Sequence, residues 1–478
     1  MTPRRDSWSS PLAERYASQA MLALWSPDRR YGLWRRLWLA LAEGERKLGV
    51  AIPDEALAQM EAHLDDIDYE AVARYEAEFR HDVMAHVYAF GDVAPAARAY
   101  IHLGATSAYV TDNADLILMR DGLGLLREKV LRVLATLSLF ARQWRAEPAL
   151  GYTHLQPAQL TTVGKRATLW MQDLVLDLAD LDTRRAALPL RGVKGTTGTQ
   201  ASFLELFRGD HGKVRALESY VCEAMGFERA LPVTGQTYSR KIDAQVLGVV
   251  AGIAASAAKF SGDVRMLQSF GEISEPFETG QIGSSAMAYK RNPMRSERIA
   301  SLARFVGALE PNANQTHAVQ YFERTLDDSA NRRLVIPEAF LATDAVLLLM
   351  ENIARGLEVH RARIRHRLMD DLPFMATEQL IVHAVEAGGD RQAVHEIIRR
   401  HSVEAAAAMK NNGSANDLLE RLAGDREFPR GVDLSAAADP SRYVGRAPEQ
   451  VDEFLREVVE PLLAGAPRDG SRPEAIRV

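Results

Sequence analysis

The clearest pattern in the chain is a long run in which apolar residues recur at alternating steps of three and four. It comprises Leu116, Met119, Leu123, Leu126, Val130, Val133, Leu137 and Phe140. This spacing places all of them on one face of an α-helix and is typical of helices that pack side by side. Further amphipathic stretches cover residues 162–187, 237–270, 296–322 and 337–359. Several are much longer than the mean helix of about 12 residues, so the pattern predicts a bundle of long helices.

The same pattern predicts an all-α fold with three parts. Residues 112–364 are expected to form a core of long antiparallel helices, flanked by smaller helical domains at 1–111 and 365–478. Alternating β patterns are scarce, and only residues 231–233 and the region around Lys194 suggest short strands. One chain is not expected to cover every apolar stripe of such a bundle, which predicts an oligomer.

Composition narrows the possible functions. The 478 residues carry a formal net charge of -6, which gives no general attraction to nucleic acid or acidic membranes, so neither is predicted as a partner. The single cysteine, Cys222, forms no intrachain disulfide and suits a reducing compartment. The start of the chain shows no apolar signal segment, and the apolar run between Asp243 and Lys259 is too short to span a bilayer. A cytoplasmic protein is therefore expected, in which local clusters of charge bind anionic ligands.

The segment 282–294 holds the densest group of chemically useful side chains. Gly283 precedes two adjacent hydroxyls, Ser284 and Ser285, and Lys290 follows before an Asn-Pro pair closes the segment. Glycine permits backbone angles that let N–H groups converge on an anion, and Asn-Pro marks a stop. A hydroxyl and a fixed cation on such a loop suit the binding and polarisation of a carboxylate, with either serine as base.

Four other segments carry polar side chains that a packed core does not need. They are Arg80-His81-Asp82, Thr106-Ser107, residues 151–157 with His154, and residues 322–333 with three arginines. Taken singly, each has an ordinary explanation, respectively a solvated helix turn, helix capping, a surface histidine and a charged helix start. The three arginines also suit a phosphate, because guanidinium groups donate paired hydrogen bonds to it.

Motifs for several other chemistries are incomplete. Residues 163–166 are similar to the end of a phosphate-binding loop but lack its upstream glycine and its Ser or Thr. The segment that begins at Gly283 lacks the second glycine of a hydrolase nucleophile elbow. No cluster of cysteines and histidines has the spacing of metal ligands. No metal and no cofactor are therefore expected.

The segment 282–294 resembles the signature loop of the fumarase/aspartase superfamily, and residues 289–297 resemble the adenylosuccinate lyase family in particular. The resemblance runs from residues 10–16 to residues 443–447. It implies β-elimination of fumarate from adenylosuccinate, which gives AMP, and from the succinocarboxamide ribotide SAICAR, which gives AICAR in purine biosynthesis. It also implies a homotetramer in which each active site is built from three chains.

The resemblance also implies roles for individual residues. Ser284 corresponds to the base and His154 to the acid. Contacts to a small nucleotide substrate correspond to Arg15, Tyr16, Arg80, His81, Asp82, Thr106, Ser107, Gln236, Lys290, Arg298, Arg324, Ser329 and Arg333. One position departs from the family pattern, since Ala288 stands where proline is usual.

Two other functions are compatible with the residues. A sister lyase of the superfamily would release fumarate from argininosuccinate or aspartate, or act on fumarate or a carboxymuconate; the arginines of residues 322–333 favour a phosphorylated substrate instead. An inactive structural homologue would have no need of Ser284, His154 and a buried Lys290 together. The sequence therefore favours the adenylosuccinate reaction.

Overall fold

The structure is a computed structural model and describes residues 6–464. The first part of the chain folds into short helices around one long one. The helices are α1 (Gln19–Leu24), α2 (Pro27–Lys47), α3 (Asp54–Ala62), α4 (Tyr69–Phe79) and α5 (Asp82–Val93), with a π-helical turn at Leu12–Tyr16 and a 3₁₀ turn at Pro95–Ala97. Ser18 and Ser26 cap α1 and α2 by accepting backbone N–H bonds, which fixes where these helices begin.

The long helices predicted from the apolar pattern make up the centre of the molecule. They are α6 (Ser107–Gln143), α7 (Val163–Ala187), α10 (Lys241–Phe270), α11 (Met294–Ala318) and α12 (Asp327–Gly356), with the shorter α8 (Ala201–Leu206) and α9 (His211–Ala224) between α7 and α10. All eight residues of the apolar stripe on α6 are buried. The all-α prediction is therefore confirmed.

The predicted start of one long helix is wrong. Helix α12 begins at Asp327, ten residues before the predicted start at Pro337. Proline usually ends or kinks a helix because it lacks an N–H group. Here α12 continues through Pro337, and its second half is buried on all sides.

The strands also differ from the prediction. The structure has an antiparallel hairpin of β1 (Pro148–Thr153) and β2 (Gln156–Thr162), and a short pair of β3 (Ile273–Ser274) and β4 (Glu358–Val359). The strands suggested at 231–233 and near Lys194 are replaced by one isolated bridge between Leu190 and Ala230. The hairpin is half exposed and contains glycine and proline, so its sequence has little of the alternation that marks a strand.

The successive helices α10, α11 and α12 run in opposite directions, so their termini lie at two opposite ends of the bundle. At one end, here called the cleft end, the start of α10 lies next to the turn before α12. There the Gln236 N–H donates to the carbonyl of Glu323 at 3.0 Å. At the other end, here called the loop end, the end of α10 lies next to the start of α11. There Gln268 Nε2 donates to the carbonyl of Arg291 at 2.9 Å. Thirty residues of α10 at 1.5 Å rise separate these ends by about 45 Å.

By length and composition alone α10 could cross a membrane, and half of its most apolar window is buried in this chain. Core helices of soluble proteins meet the same test, so this helix is weak support for a membrane span. Within the structure α10 packs against α11, α12 and α7. The exposed remainder of its apolar surface is available to another chain.

The last part of the chain has its own small core. It contains α13 (Arg361–Met375), α14 (Thr377–Glu386), α15 (Arg391–Asn412), α16 (Leu418–Gly424), α17 (Ala447–Phe454) and α18 (Glu460–Ala464), with 3₁₀ turns at Ala436–Ala438 and Pro440–Tyr443 and a π-helical turn at Leu455–Val459. Apolar residues between 376 and 437 form a separate cluster, whereas Val451, Leu455 and Val459 pack into the main core. The division at residues 111 and 364 stays a prediction, and residues 465–478 of the third predicted domain lie outside the described residues.

Candidate active site

An open cleft of about 990 Å³ lies at the cleft end of the bundle. The starts of α5, α6 and α12 and the chain before α10 meet around it. Nine of the residues proposed as substrate contacts line it, namely Arg80, His81, Asp82, Thr106, Ser107, Gln236, Arg324, Ser329 and Arg333. Tyr31, Trp34 and Ile336 add an apolar wall, so the cleft combines an apolar surface with charged groups, as small-molecule sites commonly do.

The junction between α4 and α5 supplies three of these side chains. Arg80 ends α4 in a left-handed conformation with φ of 55°, which is uncommon for a residue with a side chain. His81 then caps α5, its Nδ1 accepting from the Met84 N–H at 3.3 Å. A neutral His81 therefore carries its proton on Nε2, which lies 3.4 Å from Ser107 Oγ.

A carboxylate and a guanidinium face each other across the cleft. Arg333 Nη2 donates to Asp82 Oδ2 at 2.7 Å, although the two residues are far apart in sequence. Burial by itself would raise the pKa of Asp82, but bonds from Arg333 and the Val83 N–H, with the charge of Arg333, hold that pKa below its usual value. Asp82 is therefore ionised near neutral pH and positions Arg333.

The start of α6 points into the cleft. Thr106 occupies the cap position, yet its side chain makes no capping bond, so capping does not explain this residue. Its Oγ1 instead accepts a long bond of 3.5 Å from Gln236 Nε2. The unpaired N–H groups at the start of a helix favour an anion, and α6 is the longest helix of the described residues.

A buried charge network, which the sequence analysis did not identify, supports the cleft from below. Arg240 donates to Asp112 through Nη1 and Nη2 at 3.2 and 3.1 Å, and to Asp328 through Nε at 2.7 Å. Arg332 pairs with Asp243 at 2.7 Å and with Asp115 at 3.0 Å. These contacts tie the N-terminal parts of α6, α10 and α12 together. The available signal was the group of acidic residues near the starts of these helices, but their pairing depends on the packing.

The signature loop lies at the loop end and is held only at its base. Glu275 is buried and accepts N–H bonds from Arg295 and Ser296 at 3.0 and 2.9 Å. Asn292 Nδ2 donates to the Gly283 carbonyl at 2.7 Å. A side chain at Gly283 would come within 2.3 Å of the Lys290 carbonyl, so this position requires glycine.

The reactive part of the loop is open to solvent. Ser284 Oγ accepts only the N–H of Met287, at 3.2 Å, and Ser285 is exposed. Lys290 is exposed as well, so the prediction of a buried lysine beside the serines is wrong for the single chain. Ile282 and Tyr289 are 76% and 85% exposed, so the loop presents large apolar side chains to solvent.

His154 lies at the tip of the β1–β2 hairpin. His154 and Leu155 form its two-residue turn, and both have positive φ, 54° and 57°. Such hairpin turns usually contain Asn or Gly there, so a histidine in this conformation carries backbone strain. Tyr152 OH donates to the buried Glu272 at 3.2 Å, and Arg367 donates to the same carboxylate at 3.0 Å. These bonds fix the hairpin to the loop end of the bundle while His154 itself stays exposed.

Three other predicted contacts lie outside the cleft. The Tyr16 ring is 5.7 Å from the guanidinium carbon of Arg298, which lies in the second turn of α11 near the loop end. The guanidinium of Arg15 lies 5.9 Å from the same ring. Ser18, which follows them, is held by its N–H donating to the buried Asp344 at 2.7 Å. These residues form a second cationic group on the bundle.

One chain therefore brings together only part of the predicted site. The nine residues of the cleft are at one end, whereas Ser284, Lys290 and His154 are at the other, about 45 Å away along α10. Such a distance is far beyond any catalytic contact. The residues match in type the chemistry that the family resemblance implies, but within residues 6–464 of one chain the two groups do not meet.

Comparison with known proteins places this geometry in a class. Residues 29–307 match a family model described as Lyase, and residues 373–454 match one described as Adenylosuccinate lyase C-terminus. The fold is similar to crystal structures of 3-carboxy-cis,cis-muconate lactonizing enzyme from Pseudomonas putida and of a fumarate lyase from Mesorhizobium sp. BNC1. The TM-scores are 0.81 and 0.78, at 24% and 23% identity over 95% and 93% of this chain and 99% of each of those chains. The fold and the family model define a lyase of the fumarase/aspartase type.

Sequence relatives narrow the class. The chain is 52% identical to adenylosuccinate lyase of Saccharomyces cerevisiae and 47% identical to that of Schistosoma mansoni, over 96% of this chain and of each relative. It is 30% identical to the Pyrococcus abyssi enzyme over 94% of this chain and 98% of that one. The chain belongs to the adenylosuccinate lyase family.

Proposed function

We propose that this chain catalyses the β-elimination of fumarate from adenylosuccinate to give AMP, and from SAICAR to give AICAR. The observation that carries the proposal is the cleft, where nine residues expected from the family meet although they come from four distant parts of the sequence. Both substrates combine a phosphate, an aromatic base and a succinyl group. The cleft offers guanidinium groups, hydroxyls and an apolar wall in one place.

Binding of the phosphate is assigned to the arginines of α12 and the turn before it. Arg333 is more than half exposed and held by Asp82, and Arg324 lines the cleft near Asp328. Guanidinium forks match phosphate oxygens in geometry, and the overall negative charge of the protein makes local cations necessary. The N–H groups at the start of α6 add further donors for an anion.

The elimination needs one base and one acid. The base, assigned to Ser284, removes a proton from the succinyl carbon next to a carboxylate. The electron pair enters that carboxylate as the aci-form, where Lys290 and loop N–H groups balance the added charge; one such donor is typically worth ~10²–10³ in rate. The pair then forms the new double bond as the C–N bond breaks, and His154 protonates the departing nitrogen. Fumarate and AMP are released, and no cofactor takes part.

Serine is a weak base at its ordinary pKa, so the site must lower that pKa. Within residues 6–464, the Met287 N–H is the one hydrogen-bond partner of the Ser284 side chain. Positive charge supplied at the assembled site would favour the alkoxide. The proposal therefore requires that Ser284 meets the cations of a different chain.

We extend the proposal to a homotetramer with active sites shared between chains. The separation of about 45 Å between Ser284 and the cleft supports it. Large apolar side chains on the long helices remain exposed, among them Leu139 at 71%, Leu169 at 50% and Leu176 at 59%. Leu169 and Leu176 are seven residues apart and share one face of α7, which favours a protein interface there, and closed symmetric assemblies are the common outcome.

The reaction is tested by fumarate release, which is followed by absorbance, from purified protein. Activity on adenylosuccinate and SAICAR, and none on argininosuccinate or aspartate, is expected. Activity on one of the latter would identify a sister lyase of the same superfamily. No activity on any of them, with the protein correctly folded, would favour a structural homologue. A cytoplasmic location is part of the proposal, and fractionation of the source cells tests it.

Assembly is tested by mixing inactive chains. Ser284→Ala and His154→Ala tetramers are combined, dissociated briefly and allowed to reassociate. If the two groups of a site come from different chains, random assortment gives about one site in four with both groups intact. Light scattering should report four chains. An active monomer, or no recovery of activity after verified exchange of chains, would contradict shared sites.

A further inference from the structure

Among the charged residues around the cleft, Asp328 has an incomplete set of contacts. It is fully buried, and its Oδ2 accepts from Arg240 Nε at 2.7 Å. Its other oxygen, Oδ1, is buried but has no hydrogen-bond donor among residues 6–464. Buried carboxylate oxygens are normally paired, because an unpaired one loses its hydration without compensation.

A second cation beside this carboxylate belongs to the substrate site. Arg324 Nη2 lies 4.0 Å from Asp328 Oδ1, close enough for an ion pair but too far for a hydrogen bond. Both residues line the cleft, but Arg324 is 24% exposed whereas the Asp328 side chain is fully buried in its wall. A small rotation of the arginine would satisfy the carboxylate and still leave one edge of the guanidinium facing the cleft.

The carboxylate itself cannot rotate toward another partner. Arg240 holds Asp328 and both oxygens of Asp112 at once, and all three side chains are at most 2% exposed. Arg240 is therefore shared between two carboxylates, and Arg332 and Arg191 add positive charge near Asp112. Arg324 supplies a further cation beside Asp328 Oδ1.

Arg333 on α12, the other candidate for phosphate binding, already has one edge held by a carboxylate. Arg333 donates to Asp82 at 2.7 Å while more than half of its side chain faces solvent. A guanidinium has five N–H donors, so it can bind a carboxylate with one edge and a phosphate with the other. Holding the side chain in advance reduces the conformational freedom that substrate binding would otherwise remove.

Resting on the proposed function, we propose that Asp328 is a positioning residue for phosphate recognition: its free oxygen binds one edge of Arg324 and orients the other edge toward the substrate phosphate. Asp328 does not touch the substrate. Its effect is therefore on substrate affinity and not on the chemical step.

The test compares two buried aspartates of the same network. Asp328→Asn removes the carboxylate next to Arg324. Asp243→Asn is the matched control, because Asp243 is equally buried and paired with Arg332 but does not line the cleft. For Asp328→Asn we expect KM for adenylosuccinate and the inhibition constant of inorganic phosphate to rise about tenfold, with kcat changed by less than about threefold. The control should leave both constants within about threefold.

A double variant shows whether the effect acts through Arg324. Arg324→Lys keeps the charge but loses the fork, so a single ammonium must serve both the carboxylate and the phosphate. It should raise KM about tenfold, and adding Asp328→Asn should raise it little further, because the two residues act as one unit. Multiplied effects, or an Asp328→Asn KM that equals the control or falls, would overturn the inference.

Two further outcomes remain decisive. If Asp328→Asn does not fold, Arg324→Lys alone serves, and a wild-type KM in that variant would overturn the inference. Wild-type activity on adenylosuccinate is measured first. Its absence would contradict the proposed function, whereas an active wild type with an unaffected Asp328→Asn would contradict only the role of Asp328.

Discussion

The two ends of the helical bundle differ in how completely one chain builds them. At the cleft end, buried arginines and aspartates cross-link the N-terminal parts of three helices, and Arg332 is 9% exposed with two carboxylate partners. At the loop end, Ser284 has one weak partner, and the hairpin turn that carries His154 is exposed. The residues proposed to bind substrate therefore lie on a surface that one chain builds, whereas the residues proposed to transfer protons lie on exposed segments.

Because of this difference, folding stability is expected to depend mainly on the cleft end and the rate of the chemical step mainly on the loop end. Ion pairs removed from water are costly to break singly, so the cleft end contributes to folding as well as to binding. The exposed loop and hairpin contribute few internal contacts, and their strain at His154 is held by bonds further down the strands. Substitutions at the two ends should therefore give different kinds of loss.

The largest expected effect is on stability at the cleft end. Arg332→Ala leaves the buried Asp243 without its cation, which typically costs about 3–5 kcal/mol, whereas Asp115 keeps Arg30 as a partner at 3.3 Å. Arg291→Ala at the loop end is a matched control, because Arg291 is 57% exposed and only 3.6 Å from Glu358, and such surface pairs are worth about 0–1 kcal/mol. Denaturation at a fixed protein concentration measures both. Equal losses would remove the distinction between the two ends.

The next effect is on rate at the loop end. Ser284→Ala and His154→Ala should each lower kcat by at least ~10²-fold without lowering stability, because positioned acid and base groups usually contribute that much. Ser285→Ala is the control, since it keeps the hydroxyl assigned as base. A correctly folded Ser284 or His154 variant with more than about a tenth of the activity would show that its role is assigned wrongly.

A smaller effect is expected on affinity at the cleft. Arg324→Ala and Arg333→Ala should mainly raise KM for adenylosuccinate, by about tenfold or more, and weaken inhibition by inorganic phosphate, because each removes a charged donor for the phosphate. The kinetic constants of purified variants measure this directly. If KM stays at the wild-type value in both, these arginines serve as structural ion pairs.

The smallest effect concerns the departure from the family pattern in the signature loop. Ala288 is exposed, and proline at a compatible position typically adds ~0.4–1 kcal/mol by restricting the unfolded chain. Ala288→Pro should lower KM, change kcat by less than about tenfold and slow proteolysis within residues 282–293. Unchanged KM and cleavage would mean that Ala288 has no role in the mechanism. A collapse of kcat would mean that the loop needs a backbone geometry that proline cannot adopt.

Much of the fold followed from the sequence because apolar spacing is a local property. The stripe on α6 specifies a helix wherever the chain is placed, and all of its members are buried as that pattern requires. The residue types of the site were also recognisable, because the signature loop and the Arg80-His81-Asp82 segment are continuous in sequence. Such features depend on neighbours only a few residues away.

Only the tertiary structure decided which of these groups meet. The pairing of Arg240 with Asp112 and Asp328 joins residues from three helices, and no local pattern specifies which buried carboxylate receives which arginine. The hairpin that presents His154 was missed because exposed strands show little alternation. The exposure of Lys290 follows from the path of one chain, whose about 45 Å of helix separates the loop from the cleft. The sequence determined the elements and the reactive residue types, whereas distances between residues far apart in sequence depend on how those elements pack.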